Sequence, residues 1–198
     1  MSSNNFLPTS IILISNVLSL YKTFDLSNNE IDYFPTTLDI NIYRKILWYF
    51  SQFTFSNSIF LLLYFMFKIL QFNTDKLFII ISPISISINL NYFLILYPKK
   101  YIRLYELPFY SFVQHFMTTF IILDELQYIE YNNLYEIFYY NYFILYGILI
   151  TYFNYYVRGF WTYGIANLYT YKGWKLFLQF NIISFISSLF LYSIKNNL

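Results

Sequence analysis

The chain contains no cysteine, and only one histidine, His115. The first absence excludes a disulfide framework and thiolate metal sites. The second excludes a histidine-rich metal cage. Only four glycines occur in 198 residues, and none falls in a run. That leaves no loop able to cradle a phosphate in either common way. No cofactor and no metal is expected. Charge is also scarce, with Asp, Glu, Lys and Arg making up 11% of the chain. A soluble domain carries about 25%. So few charges cannot cover a water-facing surface. The net charge of +2 is too small, and the Lys and Arg are too scattered, to attract nucleic acid.

What fills the chain instead is apolar: 58% hydrophobic, 26% aromatic, with a mean hydropathy of +0.47. Six apolar segments emerge, near residues 6–21, 46–70, 77–97, 107–126, 137–157 and 173–194. A membrane-spanning helix needs about 20 such residues. The expected fold is therefore all-α: one polytopic integral membrane domain, a bundle of about six transmembrane helices, in an endomembrane or the plasma membrane. Its first partners are membrane lipids. The first segment is short and is interrupted by Ser15, Asn16 and Ser19. No Lys or Arg precedes it and no small-residue cleavage site follows, which favours a signal-anchor helix over a removable signal peptide. Pro83, near the start of the third segment, predicts a kink.

Loop charges orient the bundle. The loops after segments one, three and five carry nine basic residues (Lys22, Arg44, Lys45, Lys99, Lys100, Arg103, Arg158, Lys172, Lys175). The opposite side carries three, Lys68, Lys76 and Lys195. The positive-inside rule then places both termini outside or in a lumen.

Polar residues inside the segments fall in stripes. Ser51, Thr54 and Ser58 share one helix face, as do Ser82, Ser85 and Asn89, and Asn181, Ser184 and Ser188. Helices inside lipid gain nothing from hydrophobic burial against each other, so small hydroxyl residues and cross-helix hydrogen bonds help join them. Packing accounts for such stripes without any chemistry.

The fourth segment, Leu107–Leu126, adds the histidine. On a regular helix Ser111, His115, Thr118 and Thr119 lie on one side. An imidazole at that depth is costly to face toward lipid and is by default a functional hypothesis. Two readings stand side by side: a proton-transfer group, or a histidine hydrogen-bonded inside the bundle. As a base it would activate a neighbouring hydroxyl, and Ser51, Thr54 and Ser58 offer three. A Ser/Thr–His pair between helices suits acyl transfer on a substrate arriving from the lipid. Asp124 and Glu125 read as a solvated helix end. Trp161 and Tyr163 read as interfacial anchors or as lining of the site mouth.

Four places in order resemble one family. Tyr43–Ser51, YRKILWYFS, is similar to an aromatic entry that ends in a catalytic threonine. Pro83 matches a proline of the third segment. His115 is followed ten residues later by Glu125, and Gly159–Tyr163, GFWTY, resembles a Gly-x-Trp-x-Tyr connector. Together these resemble the androgen-induced-gene family, which includes the androgen-dependent tissue-factor-pathway-inhibitor-regulating protein. The likeness runs from about Tyr43 to the C-terminus. It implies a multi-pass hydrolase of fatty acid esters of hydroxy fatty acids, acting on a lipid-ester substrate. Ser51 falls at the nucleophile position and His115 at the base, with Thr54 as alternative nucleophile and Glu125 as possible support. Ser58, Ser111, Thr118, Thr119, Trp161 and Tyr163 would line the site. The sequence departs from the family at several places. Serine replaces the threonine, Arg44-Lys45 a Gly-Gly pair, Phe112 a second histidine, Tyr155-Tyr156 a His-His pair and Gly164 a proline. The competing reading is a non-catalytic membrane scaffold or accessory subunit.

Overall fold

The structure, a computed structural model, describes residues 6–25, 50, 52–96, 109–159 and 167–197. Among the described residues every regular element is helical. Each of the six apolar segments holds one helix. We label them α1 (Phe6–Asp25), α2 (Phe53–Ile69), α3 (Asp75–Asn91), α4 (starting at Phe109–Phe112), α5 (Tyr140–Arg158) and α6 (Tyr171–Asn196). α3 runs on into a π turn, Tyr92–Leu96. α4 is broken in kind but not in course: Phe109–Phe112 passes into a π turn at Val113–Met117 and resumes as α-helix at Thr118–Glu125.

Helix ends follow local chemistry. Pro8 sits in the first turn of α1, where a missing N–H costs nothing. α6 starts on Thr170, whose hydroxyl accepts from the Gly173 N–H at 3.1 Å. α5 stops at Gly159, which takes a left-handed φ of 79°. α2 stops differently. Gln71 adopts a φ of 64°, its N–H reaches the Lys68 carbonyl at 3.0 Å, and the Phe72 N–H reaches the Phe67 carbonyl at 3.0 Å. The Phe67 and Phe72 rings meet at 5.9 Å. This is a Schellman ending with its hydrophobic contact, but with glutamine where glycine is usual. A left-handed L-residue costs about 1–2 kcal/mol. Gln71→Gly should therefore stabilise the fold by about 1 kcal/mol in detergent unfolding, and a loss of stability would show that the glutamine side chain contributes there.

The core is organised round α3. Helices α2, α4, α5 and α6 all pack on it, and α1 lies against α2 and α4. Every residue from Ile81 to Asn89 is buried, Pro83 included. A helix buried on all sides needs apolar residues or partnered polar ones. In α3 four of these nine positions are polar, and Ser85, Ser87 and Asn89 find partners on three neighbours. The Asn57 amide donates to the Ser85 hydroxyl at 2.5 Å, and the Ser87 hydroxyl donates to the Phe180 carbonyl at 3.2 Å. Asn89 engages α4. Farther out, the Ser188 hydroxyl of α6 donates to the Ile137 carbonyl at 2.7 Å. Ser85, Asn89 and Ser188 of the stripes thus join helices, while the hydroxyls of Ser58 and Ser82 have no partner among the described residues. Apolar contacts fill the rest: Leu61, Phe65, Phe78, Ile79, Ile84 and Leu191 are among the most buried side chains. Gly147 lets the Phe53 ring lie against α5, within 2.6 Å of where a Cβ would stand.

Two helical stretches, Asp75–Leu94 and Tyr171–Asn196, are long and apolar enough to cross a membrane. The other helices fall short in length or apolarity.

The loop from α4 to α5 carries Asp124, Glu125, Glu130 and Glu136, and the sequence places the first two at a solvated helix end. The structure corrects this in part. Asp124 and Glu130 are exposed, but Glu125 and Glu136 are buried. Glu136 is held by the N–H and side-chain amide of Asn132, at 2.9 and 3.1 Å. Burial, reinforced by Glu136, pushes the nearby Tyr131 phenol above the ordinary tyrosine range.

Candidate functional site

His115 is the middle residue of the Val113–Met117 π turn. Its half-buried ring stacks on Tyr92 of α3, with centroids 4.0 Å apart and planes 14° from parallel. A π turn widens the helix by bonding i to i+5, which leaves carbonyls in need of other donors. Asn89, one turn before Tyr92, supplies them. With the amide assigned the orientation that gives both its ends a partner, its nitrogen donates to the carbonyls of Gln114 and His115, each at 3.2 Å. In that orientation its oxygen accepts from the Thr119 hydroxyl and lies 3.1 Å from the Thr118 hydroxyl, whose one proton is shared between it and the Gln114 carbonyl at 3.3 Å. Thr118 and Thr119 therefore take part in the α3–α4 contact. His115, Thr118 and Thr119 thus all face α3. Ser111 lies just before the turn and is half-buried.

The same turn meets α1 and α2. The Gln114 amide donates to the Asn16 side-chain oxygen at 3.3 Å, and the Asn16 amide nitrogen lies 3.5 Å from the Ser58 carbonyl. The polar interruption of the first segment thus faces inward. Ser58 is buried, and its hydroxyl has no partner among the described residues. Thr54, in the first turn of α2, is half-buried. Ser51, Trp161 and Tyr163 lie outside the described residues.

The structure gives Glu125 a task away from His115. Its carboxylate takes both oxygens to the Lys68 ammonium, at 2.6 and 2.8 Å, and accepts from the Tyr64 hydroxyl at 3.1 Å. Ten residues separate it from His115, about 15 Å of helix rise. Lys68 also lies over the Tyr128 ring at 4.8 Å. This pair clamps α2 to α4 at the end of the bundle away from the imidazole. Sequence reasoning missed Lys68 as a partner, although its side of the expected bundle was also that of the acidic loop. It missed Asn89 as a partner of α4, Asn16 and Gln114 as well; an amide within an apolar segment was the available signal for each.

Comparison with protein-family models, curated proteins and solved structures finds no match.

Proposed function

We propose that the chain is a six-span integral membrane hydrolase of fatty-acid-type lipid esters. The observation that carries this reading is the position of the only imidazole. It stands half-buried on a π turn, a distortion frequent at functional sites, stacked on Tyr92, and that turn packs against α2. A membrane setting is supported by what the helices leave uncovered. Trp174, Leu178, Ile182, Ile186 and Phe190 form a stripe along α6, each between 45% and 60% exposed. Leu145, Leu149 and Phe153 do the same on α5. Soluble monomers rarely expose apolar patches of such extent.

In the proposed mechanism His115 removes the proton from the Ser51 hydroxyl as its oxygen attacks the ester carbonyl. The alcohol half of the substrate leaves with that proton, and an acyl-serine remains. Water, deprotonated by the same imidazole, then releases the fatty acid. The assignment of Ser51 rests on the family resemblance, and Thr54, one turn on, is the alternative hydroxyl. Purified protein in detergent should react with a fluorophosphonate probe, and Ser51→Ala should abolish the reaction. Labelling lost in Thr54→Ala instead would move the nucleophile; labelling unchanged in both would discard the hydrolase. A scaffold is the second reading, favoured by the hydroxyls of Ser85, Ser87 and Ser188, each already bonded across helices or to the next element.

A further inference from the structure

Asn89 and Tyr92 stand three residues apart on α3 and so share a face. Both reach the π turn of α4, one at its backbone and one at its imidazole. In the orientation that satisfies both ends of the amide, the four contacts of Asn89 use two donors and two acceptor lone pairs on one short planar group. Only a primary amide supplies that set. An aspartate keeps the acceptors for Thr118 and Thr119 but loses both donors to the Gln114 and His115 carbonyls. Were the π turn to relax to regular α-helix, the residues beyond it would shift register by one, and each residue of a helix turns about 100°. The imidazole could not then stay flat on Tyr92 while Thr118 and Thr119 kept Asn89.

We propose that Asn89 is a positioning residue: it locks the π register of α4 and thereby holds His115 stacked on Tyr92. The consequence for catalysis rests on the hydrolase reading; the clamp itself does not. The single histidine makes it measurable, because histidine-selective isotope labelling gives one imidazole signal. In the native protein the Tyr92 ring current should move the imidazole carbon-bound protons upfield of free imidazole. Asn89→Ala and Asn89→Asp should both return them toward the free position. Fluorophosphonate labelling should fall about 100-fold in each, the scale expected of a base displaced by about 1 Å. Asn57→Ala is the control, because it removes a buried amide–hydroxyl bond between α2 and α3 and should leave the imidazole shift alone. Protons that stay upfield in both Asn89 variants would overturn the clamp, as would an equal shift in Asn57→Ala. If neither Asn89 variant folds, Thr118→Val removes one of the four contacts and is read by the same two outcomes. If the native protein takes no probe, the hydrolase reading fails while the imidazole shifts still decide the clamp.

Discussion

Lys68→Met should destabilise the protein by about 3 kcal/mol, and Lys68→Met combined with Glu125→Leu should recover most of that loss. The reason lies in how deeply the carboxylate is set. Glu125 is 4% exposed, while the Lys68 side chain is 23% exposed. Methionine keeps most of the lysine stem and removes the ammonium. The Glu125 carboxylate would then keep only the Tyr64 hydroxyl. Breaking one partner of a buried pair costs about 3–5 kcal/mol, because an uncompensated charge stays behind. The water that reaches Lys68 puts this pair at the lower end of that range. Removing both charges spares both desolvation costs, and so the double variant is near neutral. Unfolding followed by circular dichroism as denaturing detergent is added measures all three proteins. A double variant as weak as the single one would show that the cost came from lost packing and not from a stranded carboxylate.

That pair also marks how far the sequence was legible. Six apolar runs locate six helices, because a long run with few charges has one stable local form whatever surrounds it. The serine stripes likewise show which faces turn inward. Partner choice is a different matter. Ser87 lies off the Ser82–Ser85–Asn89 stripe, yet it reaches Phe180 because α3 is covered on every side. Glu125 looked solvated because it ends an apolar run among other carboxylates, and only the approach of α2 turns it into the anchor of Lys68. The π turn at His115 has no local signature. Val113–Met117 is an ordinary helical sequence, and the widened turn fits the side-chain amide of Asn89, brought to it by the fold from 26 residues earlier. The polar positions within the helices were therefore readable in the sequence, while the distortion that presents the imidazole was not.

The largest effect belongs to that imidazole. His115→Ala should slow fluorophosphonate labelling by about 100- to 10,000-fold, the usual contribution of a positioned general base. Stability is the weaker readout. Losing the stack on Tyr92 costs about 0.5–1.5 kcal/mol whether or not the protein is an enzyme, so a lower unfolding midpoint decides nothing. Labelling separates the two readings. A scaffold has no activated hydroxyl, and its His115→Ala variant has no probe reactivity to lose. In a hydrolase the Ser51 hydroxyl is still present in that variant and lacks only its base. Added imidazole, small enough to enter the space the side chain leaves, should then restore part of the labelling in His115→Ala and none in Ser51→Ala. Rescue of both variants, or of neither, would remove His115 from the role of base even if the protein hydrolyses esters.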